Sequence, residues 1–482
     1  MSKEMVWIRT LTVGALCAGV ALMLGWMLAT PTAIISMAFV ALVLLALFFP
    51  LYMQWHHVLL VAAWHSAIIV FFLPGQFDLW TVLAFVSLGM CLLRYTLRRQ
   101  HLFMDVPAIT RPLIALTIVV GVTMILRGGV GGRALGSQLW GTKRYIWIFA
   151  AVAGYFALTS ERIPAKRAEL YAALFLLSAI TSAISDFAYA AGPSFYPLFY
   201  VVSPEMAGMQ AVSTNPLERF TGVAYAASAV CYYLIMRFGI RGLSDLRRPW
   251  RLVAFVTMMV AGLFGGFRSV LILLLLVLLV QFYFEGLFRS YLLPVGVLVT
   301  VMVAVLTVGF VDRLPLAVQR SLSFLPLRVD PIARRDALST LDWRLEMWKV
   351  VVPEVPRYLL FGKGYGFDAT EYLLTQEAMK RGLYSSYEDT LISGNYHNGL
   401  LTLVIPFSIF GLLSFLWFCW AALKVLHANY RNSPPEVKHI NTFLLAYFTA
   451  RLLFYLVFYG QFDQDLMDLV GAVAFGVALN GG

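Results

Sequence analysis

SVLILLLLVLLVQFYFE, residues 269–285, places seventeen residues in a row with one charge, at the last position. A run this apolar crosses a bilayer as a helix, because about twenty residues at 1.5 Å each match the hydrocarbon thickness. A helix also pairs its backbone groups internally, which lipid demands. The same language recurs outward in both directions. About fourteen spans are expected, at 10–28, 32–50, 57–73, 78–97, 112–126, 145–159, 169–190, 220–238, 252–267, 269–285, 291–310, 398–423, 441–459 and 466–480. Two of these, 112–126 and 145–159, are short, and the pair around Gly265-Gly266 reads as two spans or as one broken unit. The first run, Leu11 to Leu28, lacks a small-residue exit site and reads as a retained span.

Composition agrees. Of 482 residues, 61% are hydrophobic and 13% charged, against about a quarter charged in a soluble domain. The expected fold is an all-α polytopic integral membrane protein. The net charge of +11 then points to membrane lipids and orientation rather than to nucleic acid. Cys17, Cys91, Cys231 and Cys419 all fall in apolar runs, so neither a disulfide framework nor a zinc site is expected.

One segment breaks the pattern. Val311 to His397 is the only polar stretch long enough to build a small module. It divides the chain into N-terminal spans (1–214), spans carrying external arginines (215–310), the loop (311–397) and C-terminal spans (398–482). With the N-terminus inside, eighteen basic residues, including Arg99 and Lys438, collect at cytoplasmic ends. Six lie in short external loops: Arg127, Arg133, Lys143, Arg144, Arg219 and Arg268. That asymmetry places the long loop, with eleven more, outside. Arg127 to Arg144 is Gly-rich and basic, and Ala191 to Arg219, with Pro193, Pro197, Pro204 and Pro216, suggests an irregular surface connection.

Within the loop, Leu338, Leu341, Leu345 and Trp348 recur at helical spacing, predicting an amphipathic helix over 334–352 that rests on the membrane or the spans. A second short helix is expected at Ala369–Lys380, after Gly362-Lys363-Gly364-Tyr365-Gly366. That glycine run lacks phosphate-loop spacing and reads as a turn.

Arg219 and Arg268 are each expected at the outer end of a span, at the depth of lipid phosphates. A guanidinium grips phosphate oxygens two at a time, which suits a diphosphate leaving group. Each also suits an ordinary headgroup anchor. Arg451 lies inside a span, about 12 Å from its outer end, where a charge needs a partner or a wet cavity. Asp186 is the candidate partner, in a substrate contact or a structural ion pair. Asp463, Asp465 and Asp468 read as capping and solvated residues at a turn rather than metal ligands. His397 is the one histidine expected outside, since His56, His57, His101, His427 and His439 fall inside and His65 in a span. It reads either as a residue hydrogen-bonded to backbone where the helix begins or as a proton acceptor near neutral pH.

Taken together, these residues resemble the O-antigen ligase / O-antigen polymerase family of bacterial membrane glycosyltransferases. Arg219-Phe220-Thr221-Gly222 resembles its Arg-x-x-Gly start of a span, and Gly266-Phe267-Arg268-Ser269 its small-Arg-small signature. Arg344-Leu345-Glu346-Met347-Trp348 with Gly362-Lys363-Gly364-Tyr365-Gly366 is similar to its Arg-x-x-x-Trp…Gly-x-Gly-x-Gly pattern. His397-Asn398 with Gly411 resembles its His-Asn opening of a late span. After Gly222 the chain departs from it, with Val223-Ala224-Tyr225 where Asn-Pro-Asn is common. The likeness covers roughly residues 215–425.

The resemblance implies transfer of a glycan from an undecaprenyl-diphosphate donor to a glycan or lipid-linked acceptor. The reaction would run on the outer face of the bacterial cytoplasmic membrane, without metal or cofactor. Arg219, Arg268, Arg344 and Arg451 would bind substrate, the first three around the diphosphate, and His397 would be the general base. Asp342 or Glu346 is the fallback base. Span number and the large loop favour a polymerase of lipid-linked repeats over a ligase to lipid A-core. A transporter or flippase is the alternative of another class, though no internal repeat is seen.

Overall fold

A computed structural model describes residues 3–29, 34–98, 102–128, 139–204 and 219–481. Arg99, His101, Arg133 and Pro216 lie outside the described residues. The protein is 78% helical with almost no sheet. Among the described residues, eight helices are long and apolar enough to cross a membrane, and three further apolar helices are shorter. Eight spans among the described residues do not confirm the expected fourteen. The spans read at 32–50 and 57–73 begin in one continuous helix, Ile34–Ala63, with Pro50 inside it. Beyond Ala63 the chain turns into a strand, Ile69–Val70, paired antiparallel with Phe77–Asp78. The 169–190 span is among the eight, as Ala165–Ala191, and contains a 3-10 segment, Ser178–Ser182. At Gly265-Gly266 the chain forms two short helices, Trp250–Leu263 and Arg268–Phe284.

Burial orders the helices radially. Leu292–Arg313 has a mean hydropathy of 2.5, yet only 6% of its apolar window is buried in the protein. Lys438–Val457 is 67% buried by the same measure, although less apolar at 1.5. Lipid solvates leucine as well as a neighbouring helix does, so hydropathy cannot rank depth in the bundle; small residues that admit close contact do. Gly154 and Gly471 illustrate this, since the Trp64 indole lies where a Cβ at either would sit.

The loop from Val311 is folded onto the spans. It contains helices Leu316–Leu322, Pro331–Val351, Ala369–Lys380 and Glu388–Ser393. The glycine run does form a turn, and that turn is stitched into a broken span. The helix Leu401–Asn432 is interrupted at Ser408, whose φ is 66°, just after Pro406, which offers no N–H. The freed carbonyls of Ile405 and Pro406 accept from the Lys363 and Gly364 amides at 2.7 and 3.0 Å. The Ile409 amide in turn donates to the Leu359 carbonyl at 2.9 Å. Gly362 is required here, because a Cβ would strike the Pro406 carbonyl and φ is 64°. Arg127 Nε donates to the Gly362 carbonyl at 2.8 Å, tying the turn to another span. Leu139–Trp140 pairs with Phe367–Asp368, so the short strand before Thr142–Leu158 also holds the loop.

Candidate active site where the polar loop meets the spans

The helix Pro331–Val351 organises the site. Asp330 caps it, its carboxylate accepting from the Ile332 amide at 2.7 Å. The face turned to the protein holds Ala333, Ala337, Met347 and Val351, all buried. Asp336, Thr340, Trp343, Arg344 and Trp348 lie on the same face by three- and four-residue steps. The leucines of the expected apolar face point elsewhere: Leu338, Leu341 and Leu345 are 50%, 44% and 45% exposed. The helix and its amphipathic character are as expected. The side it applies to the protein is the polar and small-residue one.

Along that face the helix gathers arginines from distant parts of the chain. The Asp336 carboxylate accepts from Arg219 Nη2 at 2.8 Å and also from Arg320 Nε. Arg268 Nη2 donates to the Ala337 carbonyl at 2.8 Å. Arg320, only 6% exposed, also donates to the Gly266 carbonyl, and Nη2 lies 3.4 Å from the Thr340 hydroxyl. Gly266, with φ 68°, brings this turn beside the Arg219 side chain. Three guanidiniums, Arg219, Arg268 and Arg320, thus meet the helix that itself carries Arg344, with Asp336 the one carboxylate bonded within the group among the described residues. Burial, then the charge of Arg320, hold Arg219 below the ordinary arginine value, and Asp336 only partly offsets them.

His397 sits about 11 Å further along, taking 1.5 Å for each of the seven residues from Asp336 to Trp343. Its ring lies between Trp343, with centroids 5.3 Å apart, and Tyr459, at 5.5 Å. The Arg344 guanidinium stands 5.3 Å from the centroid of the same Tyr459 ring. Trp348 Nε1 donates to the Tyr396 carbonyl at 2.8 Å, and the Asn398 carboxamide accepts from the Leu401 amide at 3.1 Å. These bonds hold His397 at φ 51°, a left-handed conformation that costs a non-glycine residue about 1–3 kcal/mol. Its Nδ1 is buried and has no hydrogen-bond partner among the described residues. Burial, reinforced by Arg344, pushes its pKa down to about 4. The imidazole is therefore neutral at pH 7.

Three expectations are corrected. Arg451 does not pair with Asp186. It donates to Asp465 at 2.9 Å and to Asp468, and Asp468 lies 3.2 Å from His65 Nε2. His65 itself stands past the end of its helix rather than within a span. Asp186 instead accepts from the Val223 amide at 2.8 Å, satisfying the start of the Thr221–Leu243 helix. The three aspartates are not solvated either, although Asp465 does cap its helix, accepting from the Gln461 amide at 2.6 Å. Asp463 takes both arms of Arg144 at 2.8 and 2.9 Å, and the other two hold Arg451. Arg451 thus belongs to a separate buried ion network, although Asp465 and Tyr459 connect it electrostatically to the site. The residues missed were Arg320, Asp336 and Tyr459. Only a basic residue followed by a polar one inside a short apolar run, Gln319-Arg320-Ser321, marked the first.

The fold and site define a multi-pass helical membrane protein with a cationic site built where a polar loop docks on the spans. Residues 253–416 match the family model described as O-antigen ligase, which supports that family and a role in polysaccharide synthesis. The match contains Arg268, Arg320, Asp336, Arg344 and His397, whereas Arg219 and Tyr459 lie outside it. Among curated proteins, none matches the chain.

Proposed function

We propose that the protein is a polymerase-type glycosyltransferase. It moves a glycan from an undecaprenyl-diphosphate donor to an acceptor sugar hydroxyl on the outer face of the cytoplasmic membrane. One observation carries this reading: among the described residues, four guanidiniums have one bonded carboxylate between them, on the same helix face that reaches a half-buried histidine held neutral at pH 7.

The chemistry follows from the charges. His397 accepts the acceptor hydroxyl proton as that oxygen attacks the anomeric carbon. The C–O bond to the diphosphate breaks, and its electron pair leaves with the lipid diphosphate. Negative charge grows on the leaving oxygens, and Arg219, Arg268 and Arg344 are preorganised to meet it. Attack from the face opposite the leaving group inverts the anomeric centre. Arg320 carries no phosphate in this scheme, because Asp336, Gly266 and Thr340 occupy its donors. It holds Arg219 and the Gly266 turn in place. Binding of the diphosphate beside Arg344 would also remove one of the two causes that depress His397, making the base stronger once the donor is present. Arg451 supports the spans beneath Tyr459 rather than touching donor.

The ligase reading keeps the same donor chemistry with lipid A-core as acceptor, and the description of the matching family favours it. A deletion strain separates the two. Loss of a polymerase leaves single lipid-linked repeats, and loss of a ligase accumulates long lipid-linked polymer. Unchanged lipid-linked intermediates in that strain would remove both readings.

A further inference from the structure

The proposed reaction leaves a second feature unused, at the opposite end of the Leu401–Asn432 helix. Between this helix, Arg268–Phe284 and Lys438–Val457 lies a cavity of about 540 Å³. Its lining combines Lys424, His427 and Arg431 with the apolar Phe284, Leu423 and Leu445. Lys424 and Arg431 are exposed, and neither forms an ion pair with an acidic side chain among the described residues. The Lys424 ammonium stands 4.9 Å from the centroid of the Trp420 ring.

The cavity has a gradient. On the outward stripe of the helix, Phe410, Leu413, Trp417 and Trp420 are exposed, and the next steps of three and four along the same stripe are Lys424, His427 and Arg431. Apolar side chains give way to an interfacial tryptophan and then to cations, as the region from acyl chain to headgroup does. On the facing helix the lining runs from Leu445 to Thr449, about 6 Å deeper into the span. Free phosphate would need only the cations. An amphiphile needs the cations and the apolar wall together, and both are present.

We propose that this cavity binds an anionic phospholipid, its phosphate among Lys424, His427 and Arg431 and the start of its acyl chain against Leu423 and Leu445. Positive residues at this end assign the site to the cytoplasmic leaflet, away from the arginines of the proposed transfer site. The site therefore stands whether or not the glycosyl-transfer reading does.

Native mass spectrometry of the purified protein, titrated with phosphatidylglycerol against phosphatidylcholine, tests it. Each basic residue near an anionic headgroup contributes roughly five-fold, so Lys424→Gln with Arg431→Gln should weaken phosphatidylglycerol retention on the order of thirty-fold. Lys166→Gln with Arg167→Gln, a basic pair outside the cavity, should leave retention unchanged. Excess inorganic phosphate should not displace the lipid. Equal retention by the cavity variant overturns the proposal, as does equal loss in the control pair. Displacement by inorganic phosphate would make this a site for soluble phosphate and not for lipid.

Discussion

Replacing Arg320 by alanine tests the architecture of the arginine cluster without touching a group assigned to the donor. Arg320 is 6% exposed and donates to the Asp336 carboxylate, the Gly266 carbonyl and the Thr340 hydroxyl. Its removal leaves Asp336 with Arg219 alone and the Gly266 carbonyl without this donor. Breaking a buried ion pair by deleting one partner costs about 3–5 kcal/mol. Asp336 keeps a second cation, so the lower end, about 3 kcal/mol, is expected. The functional effect should be larger than the stability effect suggests. Arg320 joins the Gly266 turn before Arg268 to the helix that pairs with Arg219, and a displacement near 1 Å can lower rate about a hundred-fold. Arg320→Lys keeps the charge but not the fork, so it should recover part of the stability and little of the transfer. Thermal unfolding in detergent and glycan transfer by the purified protein read the two effects. If Arg320→Ala melts with the parent and transfers within two-fold of it, the positioning role is wrong.

Other outcomes follow from the same geometry. Arg219→Lys and Arg268→Lys should each lose transfer, because a point charge cannot bind phosphate oxygens in pairs; equal tolerance of both would mark them as lipid anchors. With the His397 pKa at about 4 in the free protein, the acid limb of kcat/KM should fall near pH 4, and that of kcat at a higher pH once the donor offsets Arg344. An acid limb near 6.5 in both profiles would contradict the buried, Arg344-facing imidazole. The same depression makes the folded protein bind fewer protons than the unfolded chain between about pH 4 and 6.5, so this contribution to stability is lost as pH falls through that window. Arg451→Ala leaves Asp465 and Asp468 without their cation, and a melting point far below the parent's, with a loss of about 3–5 kcal/mol, is expected; donor affinity measured on the surviving folded fraction should match the parent.

Local signals carried far in this sequence. The Ala369–Lys380 helix begins and ends where its residues indicate, and the helix expected over 334–352 occupies Pro331–Val351. Arg219 and Arg268 meet the helix that carries Arg344, and His397 lies further along it beside Trp343. What spacing could not give was the direction of an amphipathic face. Leu338, Leu341 and Leu345 are exposed, while Asp336 and Thr340 face the spans because their polar groups pair with buried arginines there. Partners of buried charges were equally hidden. Arg219 meets Asp336 across 117 residues, and Arg144 meets Asp463 across 319. No periodicity reports such pairs. Asp186 was a reasonable partner for Arg451 by depth alone, but Asp465 and Asp468 lie on the next helix, where the turn at Gly460 brings them beside it. The gap expected between spans at residues 50 and 57 is a continuous helix that includes His56 and His57. Both are buried in the bundle, His56 on the Ser87 hydroxyl at 2.7 Å and His57 on the Leu158 carbonyl at 2.9 Å.

The central claim is that His397 takes the acceptor proton beside an arginine-bound diphosphate. Transfer from a polyprenyl-diphosphate-linked glycan, measured with purified protein carrying His397→Ala and separately His397→Asn, tests it most directly. Asparagine tolerates the left-handed backbone at φ 51°, so its variant separates lost chemistry from lost fold. The account predicts that His397→Asn melts near the parent, still binds donor, and transfers about 10²–10⁴-fold more slowly. A folded His397→Asn protein that transfers at the parent rate would contradict it.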